Sequence, residues 1–101
     1  MLTVIETYQF KALADRVWSE SERLDFISWI SENPESGDVI PNSNGARKLR
    51  WSAKGKGKRG GARIIYFNVS SDGFLILVYL YLKSDTENVS QKNINRLILW
   101  T

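Results

Sequence analysis

Eight lysines and arginines, and no acid, lie between residues 39 and 71: Arg47, Lys48, Arg50, Lys54, Lys56, Lys58, Arg59 and Arg63. Cations at this density suit a polyanion, because each one can neutralise a phosphate and release a condensed counterion. The plainer alternative is a basic loop kept in solution by its own charge. Local pattern separates the eight. Over 46–52, Arg47, Leu49 and Trp51 alternate with Lys48, Arg50 and Ser52, so a strand there has one cationic face. Lys54, Lys56, Lys58 and Arg59 interleave with glycines, which let a loop come close to a sugar-phosphate backbone while the lysines supply point charges. Arg63 sits inside an apolar, β-branched run. A strand there holds the guanidinium as a fixed fork for a phosphate, the alternative being an exposed strand arginine or a surface ion pair.

The missing residue types narrow the chemistry further. Among 101 residues there is no cysteine and no histidine, which excludes a disulfide framework, a thiolate zinc site, a cysteine nucleophile and a Ser-His-Asp triad. Any catalysis falls to Lys, Arg, Tyr, Ser, Asp or Glu, and no metal or cofactor is expected. The stretch Gly55-Lys-Gly57-Lys-Arg-Gly60 matches G-x-G-x-x-G in letters only. A dinucleotide fingerprint needs a strand before it and a helix after it, whereas here a strand follows. Residues 1–38 hold eight acids and three bases, and residues 72–101 hold three of each. Most of the acids therefore lie on the helical half, away from the strands, and no carboxylate pair suggests a glycosidase.

The elements that must position these cations follow from periodicity. Residues 3–6 read as a short strand. From Phe10 the apolar positions Phe10, Leu13, Ala14 and Val17 fit one helix face. Ser19-x-x-Glu22 matches a capping box and opens a second helix burying Leu24, Ile27 and Ile30, with Phe26 and Trp29 widening the stripe. Trp18 and Trp29 read as helix core. Asn33-Pro34 ends that helix, and 35–45 is a turn-rich connection. Strands follow at 46–52, 62–69 and 74–82, with 54–61 an irregular loop and Asp72-Gly73 a hairpin signal. The continuous apolar run 74–82 calls for a strand covered on both faces. Ser90 caps a last helix burying Ile94, Leu97 and Ile98. The expectation is one α+β domain over 1–101, ordered βααβββα, with the helices on one face of a mainly antiparallel sheet. Residues 1–13 lack the apolar core of a signal peptide, and nine apolar residues fall short of the roughly 20 that span a membrane. A cytoplasmic protein is expected, with no membrane partner.

The segment Gly45-Ala-Arg47-Lys48-Leu-Arg50, followed by Lys54-Gly-Lys-Gly-Lys-Arg-Gly-Gly-Ala-Arg63-Ile-Ile-Tyr66-Phe, resembles the HigB branch of the RelE-like toxin superfamily. Asn33-Pro34-Glu-Ser-Gly37-Asp38 before it and Leu82-Lys83-Ser after it fit the same pattern, so the likeness covers roughly residues 20–98. It implies the toxin of a type II toxin–antitoxin system, a ribosome-dependent endoribonuclease (mRNA interferase) that cuts mRNA in the A site without a metal. In that reaction the ribose 2′-hydroxyl attacks the adjacent phosphate. The matching positions give Arg63 as stabiliser of the phosphorane and a catalytic lysine among Lys54, Lys56 and Lys58, with Lys83 as a further cation. Arg47, Lys48, Arg50, Arg59 and Tyr66 would contact RNA. Implied partners are the ribosome, mRNA and a cognate antitoxin, a HigA-like helix-turn-helix protein. RelE carries a tyrosine in its C-terminal helix and this chain has none after Tyr81, so the alternative is a non-catalytic RNA- or ribosome-binding module or an inactive homologue.

Overall fold

The computed structural model describes residues 2–53 and 57–82. Lys54, Lys56 and Lys83, and the helix expected after Ser90, lie outside the described residues. The elements are β1 (Thr3–Glu6), α1 (Tyr8–Val17), α2 (Glu20–Glu32), β2 (Asp38–Val39), β3 (Ala46–Ala53), β4 (Gly57–Val69) and β5 (Phe74–Leu82). This is the expected α+β class, with the added two-residue strand β2 inside the connection that the sequence reads as turn-rich. Several sequence expectations match closely: β1, the start and end of α2, the start of β3, the end of β4 and the whole of β5.

Side chains at the helix starts fix where the helices begin. Thr7 Oγ1 accepts from the Phe10 N–H at 3.2 Å and donates to the Leu77 carbonyl at 2.9 Å. One hydroxyl thus caps α1 and ties it to β5, and the helix begins two residues before Phe10. At α2 the capping box forms: Ser19 Oγ accepts from the Glu22 N–H at 3.1 Å, and Glu22 Oε1 accepts from the Ser19 N–H at 2.8 Å. Ser19→Ala removes one acceptor and is expected to lower stability by about 1 kcal/mol, read as a fall in melting temperature of about 4–8 °C. An unchanged melt would mean that water serves the Glu22 N–H equally well.

The second helix is phased differently from the periodic reading. Phe26 and Ile30 are fully buried, whereas Leu24 is 49% and Trp29 36% exposed. The physical reason is aromatic packing. The Phe26 ring lies 5.2 Å from that of Trp18 and 5.1 Å from that of Trp51, and seating that ring turns Leu24 outward. Trp18 is core as expected, while Trp29 stands at the rim with its ring 4.8 Å from Trp51. Across the other end of α2, Arg23 donates to both carboxylate oxygens of Glu6, at 2.7 and 2.6 Å, joining helix to β1. That hydrogen bonding raises the Arg23 pKa above its ordinary value against the opposing effect of burial.

The sheet has the order β1-β5-β4-β3-β2, with β1 parallel to β5 and every other pair antiparallel. Its edge strands are only four and two residues long, which limits the unpaired edge open to other chains. Gly57–Gly61 belongs to β4, correcting the irregular loop read over 54–61: Ala53 pairs with Gly57 and carries the ladder past the expected strand start. Between β4 and β5 a single 3-10 turn, Ser70–Asp72, closes on Gly73 at φ 82°, a left-handed conformation that glycine adopts without a Cβ clash.

Alternation gives the sheet two faces. Ala62, Ile64 and Tyr66 of β4 pack with Phe10, Ala14, Phe26 and Ile30 of the helices. Ala46, Ile65, Val78 and Tyr81 form a separate buried cluster. Ile65 pairs with Tyr79 and Tyr66 with Leu77, leaving Val78 as an extra residue in β5. That bulge lets Leu75 and Leu77 before it, and Leu80 and Leu82 after it, all join the helix-side core.

Candidate anion-binding face of the sheet

On β3, Leu49 and Trp51 pack with the helix-side core, so alternation sends Lys48 and Arg50 to the opposite face, where both are exposed. The register brings them into rows. Arg50 pairs across with Arg63, and Arg63 pairs with Tyr81. Lys48 pairs with Ile65, and Ile65 with Tyr79. The Tyr79 and Tyr81 rings lie 6.0 Å apart. Cationic side chains and two tyrosines therefore share one face of β3, β4 and β5.

Arg63 differs from the others in burial. It is 7% exposed, and its Nη1 reaches the Gly61 carbonyl at 3.4 Å. Neither alternative weighed for it, an exposed arginine or a surface ion pair, describes that placement. Among the described residues, Glu6–Arg23 is the one ion pair, and no carboxylate meets Arg50 or Arg63. Asp38 stands opposite Lys48 in the β2–β3 register, so Lys48 has an acid neighbour and the two arginines have none there. Like charges directly opposite on a sheet repel. Chemically, the row is a site that gains from an anion, and a phosphate matches the fork geometry of arginine.

Two residues assigned to RNA by the sequence reading have other work. Tyr66 is fully buried on the helix side, so its ring cannot stack on a base. Its hydroxyl accepts from the Gly37 N–H at 2.9 Å and donates to the Pro34 carbonyl at 2.8 Å. Arg47 alternates away from Lys48, and its Nη1 donates to the carbonyls of Gly37 at 2.8 Å and Glu35 at 3.2 Å. Together they clamp the connection between α2 and β2. The clamp also explains Gly37, where a Cβ would lie 2.9 Å from the Tyr66 ring and hydroxyl. Tyr66→Phe strands a buried N–H and is expected to cost about 1–3 kcal/mol in urea unfolding. An unchanged unfolding midpoint would mean that the Gly37 N–H finds another acceptor.

Lys58 and Arg59 lie in β4, and their side chains fall outside what the structure describes. Tyr79 and Tyr81 are among the aromatics that the sequence puts on or beside the strands, one or two of which could stack on bases; the sequence alone does not say which. Their signal was present but conditional: once 62–69 and 74–82 form a hairpin, the turn decides which tyrosines lie beside Arg63. Among the described residues no group of three or more His, Cys, Asp or Glu is placed to hold a metal ion, and no helix is long and apolar enough to cross a membrane. No protein-family model matches the chain.

Proposed function

We propose that this chain is a ribosome-dependent mRNA endonuclease, the toxin of a type II toxin–antitoxin pair in the cytoplasm, with the RelE-like arrangement of the HigB branch. The observation that carries this reading is the row Arg50–Arg63–Tyr81, with two arginines at paired positions of β3 and β4 and no described carboxylate ion-paired with either. An RNA phosphate supplies the missing negative charge. The reaction class comes from the resemblance of the surrounding sequence. The ribose 2′-oxygen attacks the adjacent phosphorus and gives up its proton to a base. The bond to the 5′-oxygen breaks, that oxygen takes a proton, and a cyclic phosphate remains. Arg63 stabilises the charge that develops on the phosphorane oxygens, the largest contribution a preorganised donor makes. A lysine among Lys54, Lys56 and Lys58 takes the proton or adds charge, Lys83 adds a further cation, and Lys48, Arg50 and Arg59 hold neighbouring phosphates. A HigA-like antitoxin silences the toxin by covering the basic face.

The test is inducible expression of wild type and an Arg63 variant, with primer extension on a translated message. Cuts inside codons that require translation, and that vanish in the variant, support the nuclease. Co-sedimentation with ribosomes and no new RNA ends would overturn it in favour of a non-catalytic binding module.

A further inference from the structure

We propose that the outward face of α2 docks a basic protein segment built around an apolar anchor. Ser21, Leu24, Asp25, Ser28, Trp29 and Glu32 fall on one side of the helix at three- and four-residue spacing, and all six are exposed. Leu24 and Trp29 are the two exposed large apolar side chains of α2. They occupy a helix that already supplies the core through Phe26 and Ile30, and Leu24 is not among the residues packed on that core. Trp29 is also held in position by the Trp51 ring at 4.8 Å. An aromatic side chain that is already ordered loses little freedom on binding, which is how interface anchors work.

Charge selects the occupant. Among the described residues neither Asp25 nor Glu32 is ion-paired, and no basic residue stands in the last turn of α2. Glu32 there faces the negative end of the helix dipole, so it weakens the helix that carries it. Asp25 beside Leu24, and Glu32 three residues beyond Trp29, repel RNA and fit lysines or arginines next to an apolar residue. The stripe from Ser21 to Glu32 covers about 16 Å of helix at 1.5 Å per residue, room for a few turns of a partner helix and typical of a weak, reversible contact.

The test titrates the full chain with a labelled synthetic helical peptide bearing lysines beside a leucine stripe, read by anisotropy at low and raised salt. A counterpart with glutamate in place of lysine serves as control. The expected result is binding that salt weakens, with no binding of the glutamate peptide. Affinity should fall at least tenfold in Leu24→Ser/Trp29→Ser and in Asp25→Lys/Glu32→Lys, and stay unchanged in Lys48→Ala. The charge reversals sit at exposed positions and keep the test valid if the apolar double variant melts early. Equal binding by both double variants, or no binding at all, overturns the proposal. So does concentration-dependent self-association in sedimentation that Asp25→Lys/Glu32→Lys abolishes, since the face would then serve a second copy of the chain.

Discussion

Arg63→Met is expected to lower mRNA cleavage by about 10²- to 10³-fold, the usual effect of removing one preorganised donor from a developing oxyanion, while leaving the free protein as stable or more so. The second half of that expectation follows from burial. Arg63 is 7% exposed, directly across from Arg50, and has no described carboxylate partner. An arginine there opposes folding through desolvation and repulsion, and methionine fills similar space without either penalty. Relief of the cross-strand repulsion contributes up to about 1 kcal/mol, a rise in melting temperature of about 4–8 °C for a chain of this size. Arg50→Ala should raise the melt too, by less, because Arg50 is exposed. Primer extension and a thermal melt on the same preparations check both halves. Stability lost in Arg63→Met together with cleavage would mean that the guanidinium serves the fold, and the phosphate role would fall. A functional site held at the expense of stability is the pattern in which stabilising substitutions cost activity.

Signals in the sequence that act over a few residues proved reliable. The capping box at Ser19 and Glu22 and the bounds of 74–82 depend on neighbours close in the chain, and both formed as read. What stayed hidden depends on partners far away. Tyr66 reads as a strand aromatic near cations, yet its hydroxyl is claimed by backbone groups 29 and 32 residues earlier. The apolar run 74–82 has no alternation to mark its phase, so the bulge at Val78 becomes visible only once β5 pairs with β4. Gly57–Gly61 has weak strand preference of its own and is drawn into β4 by pairing with β3. The candidate site was legible as a set of charges, and Arg50 and Lys48 fell on the expected face. That Arg63 is buried, and falls in register with Arg50 on one side and Tyr81 on the other, required the sheet pairing.

Phe26→Ala carries the largest expected loss of stability and tests the phase of α2 directly. The ring is fully buried between Trp18 and Trp51, and the contacts continue to Phe10 beyond Trp18 and to Trp29 beyond Trp51. Removing the middle of that aromatic run leaves a cavity walled by rigid rings that close in poorly. The expected loss is about 3–5 kcal/mol, a large part of the roughly 5–15 kcal/mol that holds a domain together. In urea unfolding followed by tryptophan fluorescence, the midpoint should fall sharply with the slope unchanged. The comparison that decides the phase is Leu24→Ala. A helix buried along Leu24, Ile27 and Ile30 would make that change nearly as damaging. With Leu24 49% exposed, its loss should stay below about 1 kcal/mol, as for surface substitutions generally. Comparable losses at Leu24 and Phe26 would rotate α2 back to the periodic reading. They would also withdraw Leu24 and Trp29 from the outward face, and with them the apolar half of the proposed docking surface.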